Sequence, residues 1–458
     1  MTIRILPAVT PLKTAEVVRP PVAGIRPAAP QASDVFDPVV RRLNFSAGER
    51  QVDLSGLLEV NTPKSKEEAL SEIDRVLIGG EIGEDPDGEG GQGTVVTDPE
   101  DVNAPTGGLD DLRAAKLVEA NAELEAAELE RLSPQERAQY ESVMSELEQQ
   151  EDPKAQLALQ KLLFEGKLPG AEDAQGGGTL LENLAGLANP CGAPLAEGID
   201  RRELLADVVR EVAVPSAIAQ HQRGTCAATV VGIHLADENP AEYVRLMTGL
   251  ASPSGEVELA NGDTILREEG TIGADGSGRS LSQRLLEPAF MEYANGADLD
   301  YDNASDEHRD EDGKKVHTGL YSSQVDRLLE GVFDHRFENR AGINTDEERE
   351  EAWDELVDEV ENEGREVEVG VRWGTGGHKL LVTDISQDAS GQEYVTYVNP
   401  WGKTETLPKE EFLARLQNMN TEGDDLFSEI GDWIDSAKVV SDPLQDQVSF
   451  NRRGLIAA

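Results

Sequence analysis

Proline, glycine and acidic side chains dominate the first 107 residues, and this limits where the chain can build a hydrophobic core. Residues 81–93, for example, are mostly glycine, aspartate and glutamate. So little apolar surface cannot offset the conformational entropy that a chain loses on ordering. Residues 1–107 are therefore predicted to be disordered, with one short helical patch at 65–76.

Helical periodicity begins after this region. Over residues 108–165, Ser133 and Glu136 bracket Pro134 in the order of a helix cap. An apolar stripe at i, i+3, i+4 and i+7 follows: Tyr140, Val143, Met144 and Leu147. Residues 166–198 are rich in glycine and are predicted to be a linker, with a helical turn at 180–187.

The remaining chain, residues 199–445, is predicted to form one α+β domain. Residues 226–235 are small and apolar, as in a buried helix. Valine alternates with polar or small residues over 367–371, and two further strands are predicted at 380–385 and 394–398. The expected architecture is a helix packed against an antiparallel sheet.

The net charge of -49, from 90 acidic and 41 basic residues, bears on partners and location. Such a chain repels nucleic-acid phosphates and anionic lipid surfaces, so neither is expected as a partner. The sequence contains no run of 18 apolar residues, so no membrane span is predicted. Prolines interrupt residues 1–30 where a Sec signal would need an apolar core. A cytoplasmic protein, or one exported without a Sec signal, is expected.

Four residues carry the chemistry that the sequence suggests. A cysteine nucleophile acts as its thiolate, so it needs an imidazole to take the proton and a third group to orient that imidazole. Cys226, His378 and Asn399 supply these groups in chain order. Gln220, six residues before the cysteine, offers an amide to an oxyanion. Taken singly, Cys226 is also compatible with a core cysteine and Asn399 with a turn before Pro400.

The order Gln, Cys, His, Asn resembles that of the papain-like cysteine peptidases. Gly377-His378 before an apolar run, followed by the Asn-Pro-Trp-Gly sequence at 399–402, is most similar to the calpain branch. The resemblance implies that Cys226 is the nucleophile, His378 the general base, Asn399 its orienter and Gln220 the oxyanion donor. It also implies an indole, that of Trp401, packed over the Asn-His contact, and a protein or peptide substrate.

Two positions depart from the family pattern. The cysteine is usually followed by Trp, where this chain has Ala227, and calpains place Asp before the cysteine, where this chain has Thr225. A related deamidase or transglutaminase would use the same groups, and an inactive papain-like binding module is the alternative that Ala227 favours. The helical segment 108–165 is a possible inhibitory pro-segment by the same resemblance. The sequence leaves the oligomeric state open.

No cofactor or metal is predicted. An acidic loop places aspartates at positions 1, 3, 5 and 9 of an EF-hand-like pattern: Asp298, Asp300, Asp302 and Asp306. Asn303 stands where that pattern needs glycine, and Arg309 where it needs glutamate. The loop is therefore interpreted as an acidic surface segment.

Overall fold

Helices make up most of the described chain before residue 300, and the main sheet follows it. The computed structural model describes residues 60, 62–79, 109–296, 299–374 and 376–423, which belong to one unit that starts at Val52. The helices in these ranges are α1 (Lys66–Asp74), α2 (Leu109–Ala120), α3 (Ala122–Leu129), α4 (Pro134–Gln150), α5 (Pro153–Phe164), α6 (Leu180–Ala188), α7 (Arg201–Ala213), α8 (Cys226–Glu238), α9 (Pro240–Leu250), α10 (Leu281–Asn295), α11 (Ser322–Phe333), α12 (Asp346–Val357) and α13 (Lys409–Leu413).

The strands form three antiparallel sheets within the same ranges. They are β1 (Glu256–Glu258), β2 (Thr264–Leu266), β3 (Asp300–Asp302), β4 (Glu307–Arg309), β5 (Lys315–His317), β6 (Phe337–Ala341), β7 (Val367–Trp373), β8 (Gly376–Gln387), β9 (Glu393–Asn399), β10 (Lys403–Pro408) and β11 (Leu416–Glu422). The large sheet has the order β10-β9-β8-β7-β11-β6, and the small ones are β1-β2 and β3-β4-β5. The fold is therefore of the α+β class.

The main sheet is covered on both faces, and strand alternation explains how. Leu381 of β8 and Val398 of β9 join a large core that α8 and the other helices build. The neighbouring positions Leu380 and Tyr397 instead join a second core with Trp353 of α12. Because successive side chains of a strand point to opposite faces, one strand serves both cores. The predicted packing of a helix on an antiparallel sheet is seen where α8 lies against β8.

Helix α4 forms where the sequence predicted it. Ser133 accepts a hydrogen bond from the Glu136 N–H, and the Glu136 carboxylate accepts one from the Ser133 N–H. The predicted apolar stripe is the buried face of the helix: Tyr140, Val143, Met144 and Leu147. This face packs chiefly against α6, and α5 packs chiefly against α2 and α7.

Residues 166–198, predicted to be a linker, contain more structure than a single turn. Thr179 and Glu182 form a reciprocal cap that starts α6. Its leucines lie in the large core: Leu180, Leu181, Leu184 and Leu187. The glycines on either side of α6 favoured the prediction of a linker. The apolar spacing within this short helix is nevertheless that of a buried face.

Helix α1 lies inside the region that composition predicted to be disordered. It covers most of the predicted patch at 65–76, and Ser65 caps it by accepting from the Glu68 N–H at 3.3 Å. Ala69, Ile73 and Val76 are buried in the large core, so this patch is packed rather than disordered. The other residues of 1–107 lie outside the described ranges, apart from 60 and 62–79. In the part of the chain that is described, no helix is both long and apolar enough to cross a bilayer.

Candidate active site

Three of the four candidate side chains line one cavity of about 620 Å³. Cys226 is the first residue of α8, His378 lies near the start of β8, and Gln220 lies in the loop before α8. The main-chain N–H groups in the first turn of a helix have no partner within that helix, so they are free to face an anion beside Cys226. Asn399, the last residue of β9, reaches the site through His378.

Main-chain bonds hold the loop before Cys226 from two sides. The Gln220 N–H donates to the Pro400 carbonyl at 2.8 Å, which ties the loop to the end of β9. The Gly224 N–H donates to the Asp306 carboxylate at 2.6 Å, which ties it to the turn between β3 and β4. A Cβ on residue 224 would lie 3.2 Å from that carboxylate oxygen, so the close approach favours glycine.

The buried carboxylate of Glu287 supports the loop before Cys226. Thr225 Oγ1 donates to Glu287 Oε2 at 2.7 Å, and Arg279 Nη1 donates to the same oxygen at 3.0 Å. Thr225 and Glu287 are fully buried. Thr225 therefore anchors the loop before Cys226 to α10.

His378 and Asn399 form a buried hydrogen-bonded pair. His378 Nε2 lies 2.9 Å from Asn399 Oδ1. Asn399 Nδ2 donates to Glu405 Oε2 at 2.9 Å, across the turn that joins β9 to β10. All three side chains are buried. The carboxylate thus fixes which end of the asparagine amide faces the imidazole.

Two indoles enclose the imidazole. The Trp401 ring lies 4.6 Å from the His378 ring between centroids, and the Trp373 ring lies 5.6 Å from it in an edge contact. The Arg415 guanidinium lies over the Trp373 ring, 5.1 Å from its centroid. Burial lowers the pKa of His378 to about 4, against the opposing effect of the Asn399 bond. The imidazole is therefore neutral at pH 7 and able to accept a proton.

The thiol sits between opposing influences. Burial raises the pKa of Cys226, while the main-chain N–H groups of Lys379 and Ala227 and the charge of Lys379 act to lower it. Both cysteines of the chain are free, with Cys191 exposed. Within the described residues no hydrogen bond joins the thiol to His378, although both groups line the same cavity.

Gln220 stands beside the thiol with its amide partly engaged. Its Nε2 donates to the Arg223 carbonyl, and its buried Oε1 has no hydrogen-bond partner among the described residues. An amide nitrogen carries two hydrogens, so one bond to Arg223 leaves the other available to an oxyanion. Ala227 lines the same cavity, and its small side chain leaves room where the family pattern has an indole.

Three further histidines do not line this cavity. His234, further along α8, pairs with Glu368 at 2.7 Å and with Glu238 at 3.1 Å. His308 and His317 stack on each other across β4 and β5, with centroids 4.3 Å apart.

In the acidic loop, Asp306 binds the Gly224 and Tyr301 donors and Asp302 pairs with Arg309. Asp298 lies outside the described residues. The carboxylates of Asp302 and Asp306 thus support neighbouring loops and side chains.

Sequence reasoning missed several residues of the site: Trp373, Lys379, Glu405, Asp306 and Glu287. Two of them had a local signal. Lys379 is a charged residue at the start of an apolar strand, and Glu405 lies across a tight turn from Asn399. No protein-family model matches the chain, and no curated protein sequence matches it either.

Proposed function

We propose that this protein is a papain-like cysteine peptidase that hydrolyses peptide bonds with Cys226, His378, Asn399 and Gln220. One observation carries the proposal. The oriented, neutral imidazole of His378 lies on the wall of the cavity that also holds a free thiol at a helix N-terminus. Nucleophile, base and orienter then have the relation that thiol acyl transfer requires.

The first half-reaction follows from these positions. The Cys226 sulfur attacks the substrate carbonyl carbon as the thiol proton moves to His378. The carbonyl oxygen becomes an oxyanion, which accepts from the Cys226 main-chain N–H and from Gln220 Nε2. The C–N bond then breaks, and the departing amine takes the proton from His378. The product is a thioester on Cys226 and a free amine.

The second half-reaction returns the enzyme to its starting state. A water molecule gives a proton to His378 and attacks the thioester carbonyl, and the same two donors hold the oxyanion. The C–S bond breaks, the sulfur recovers its proton, and a carboxylic acid leaves. An amine in place of water would give transamidation, so the same groups support acyl transfer when the acceptor differs.

A papain-like fold is supported by the way the site is assembled. The nucleophile begins a helix that packs on an antiparallel sheet, and the sheet supplies the histidine and asparagine from adjacent strands. The helices of 108–165, considered as a pro-segment, contribute to the large core, and none of the cavity-lining residues in the described chain belongs to them. Their packing gives no support to a covering role.

The test uses a peptide that bears a vinyl sulfone, which reacts with activated thiols. We expect labelling of Cys226, located by mass spectrometry, and cleavage of an unfolded polypeptide at neutral pH. Cys226→Ser and His378→Ala should abolish cleavage. Cys191→Ser is the matched control, because that thiol is exposed and does not line the cavity. A folded wild-type protein that neither reacts at Cys226 nor cleaves would contradict the proposal and favour a binding module.

A further inference from the structure

Lys379 directly follows His378 on β8 and is an unusual neighbour for a thiol. Its side chain is only 5% exposed, and it lines the cavity together with Cys226 and Asn418. A buried lysine normally has a carboxylate partner, since burial of an isolated ammonium is costly. The surroundings of Lys379 therefore need an explanation.

Neutral amides hold the ammonium in place. Lys379 Nζ donates to Asn418 Oδ1 at 3.2 Å and to Asn420 Oδ1. Asn420 is itself fixed, because its Nδ2 donates to Asp326. Amide oxygens replace the hydration of an ammonium group, but they leave its charge uncancelled. The asparagine side chains of β11 thus hold the positively charged ammonium of Lys379 at the cavity wall.

Nearby carboxylates do not cancel this charge by direct pairing. Among the described residues no carboxylate forms an ion pair with Lys379 Nζ, whose hydrogen-bond partners are the two asparagines. The two carboxylates that attract it from further away have other partners, since Glu368 pairs with His234 at 2.7 Å and Asp326 accepts from Asn420. Burial lowers the pKa of Lys379 to about 8, so the group is still largely protonated at pH 7.

The thiol is the anion-forming group beside this charge. The main-chain N–H of Lys379 and the charge of its ammonium both act to lower the pKa of Cys226, so both favour the thiolate. Asp306 opposes ionisation of the same thiol. The neutral imidazole of His378 supplies no positive charge until it has taken a proton.

We propose that Lys379 is a positioning residue whose buried ammonium acts through Cys226: it stabilises the thiolate that forms as the proton moves to His378. The role rests on the proposed function, because it matters only if Cys226 is the nucleophile. At neutral pH Lys379 thus provides a positive charge near the sulfur before the reaction begins, while His378 receives its charge during the reaction.

Ionisation of the thiol can be measured without a substrate. In a Cys191→Ser background, the rate of Cys226 alkylation by iodoacetamide is followed against pH. Lys379→Met removes the charge and should move the midpoint upward by about one pH unit, which makes alkylation at pH 7 about tenfold slower. Lys314→Met is the matched control. Lys314 is exposed and lies outside the cavity, and its replacement makes the same change in net charge.

Lys379→Gln is the second variant, since its neutral amide can still bond to the asparagines if the methionine disturbs folding. An unshifted midpoint in either variant, with a native circular dichroism spectrum, would overturn the inference. The two proposals fail separately. A shifted midpoint in a protein that cleaves no peptide refutes only the peptidase, and an unshifted midpoint in a working peptidase refutes only the role of Lys379.

Discussion

His378 Nε2 and Asn399 Oδ1 lie 2.9 Å apart, and the amide nitrogen of the same asparagine is held by Glu405. Because Nδ2 is engaged with a carboxylate, Oδ1 is the acceptor that faces the ring, and His378 Nε2 carries the hydrogen. The Nδ1 atom then carries the free lone pair. The proposed mechanism needs that nitrogen to accept the thiol proton.

Asn399→Ala should lower turnover far less than Cys226→Ala. The first change loses the orientation of the ring, whereas the second removes the nucleophile. We expect a loss in kcat of about 10- to 100-fold for Asn399→Ala and complete loss for Cys226→Ala. Steady-state kinetics on one peptide substrate checks this. Complete loss from both, with folding intact, would assign Asn399 a different task.

Glu405→Leu should reduce kcat about tenfold with little change in KM, because Asn399 loses the group that sets its amide orientation. Glu393→Leu is the matched control. That residue lies at the other end of β9 and pairs with Lys409 at 3.3 Å. Equal kcat values in the two variants would show that Glu405 does not position Asn399.

Trp401→Leu should move the acidic limb of the pH profile upward. The imidazole is active only when neutral, so kcat/KM falls as pH drops through the His378 pKa of about 4. Loss of the indole admits water, weakens the effect of burial and raises that pKa. Activity at pH 5 should then fall relative to activity at pH 8. Trp401→Phe keeps an apolar ring over His378 and should leave the limb near its original position.

Ile73→Ala should destabilise the whole described unit by about 2–4 kcal/mol, because Ile73 is fully buried in the large core. Ile78→Ala is the control from the same segment, since its side chain is 43% exposed. Urea unfolding followed by tryptophan fluorescence reports on the sheet, far along the chain from α1. Similar midpoints for the two variants would show that α1 is not part of the cooperative core.

Glu366→Gln should raise stability at pH 8 and have little effect at pH 4.5. Burial, with the nearby Asp237, Glu368 and Glu238 carboxylates, raises the pKa of Glu366 to about 7 against the attraction of His234. The folded protein therefore binds the proton more tightly than the unfolded chain, and stability is lost as pH rises from about 4.5 to 7. The variant avoids this loss, which is roughly 1–3 kcal/mol. Thermal melts at the two pH values measure it.

Elements with a strong local pattern could be predicted from the sequence. Helix α4 has its cap and its stripe, and β7 has its alternating valines, so their positions agree closely with expectation. The three-residue strands β3 to β5 could not be found in this way. Such short strands contain too few residues for alternation to appear, and pairing with each other decides their conformation.

In the candidate site, too, some residues could be predicted from the sequence and others could not. His378 and Asn399 were recognisable because both lie in one short stretch of strands, and their contact is present. The supports of the cysteine loop were not recognisable, since Glu287 and Asp306 lie 62 and 82 residues from the positions that they hold. No local pattern links residues so far apart, and only the packing of α10 and of the β3-β4 turn brings them together.

The cysteine loop meets the sheet through a bond from the Gln220 N–H to the Pro400 carbonyl. Any residue except proline can donate such a bond, so the contact imposes almost no restriction on the amino acid at the donor position. A sequence comparison compares residue types, so it does not detect this main-chain hydrogen bond. A substitution at position 220 can therefore change the side chain that lines the cavity while the bond that holds the loop to the sheet stays in place, unless the new residue is proline.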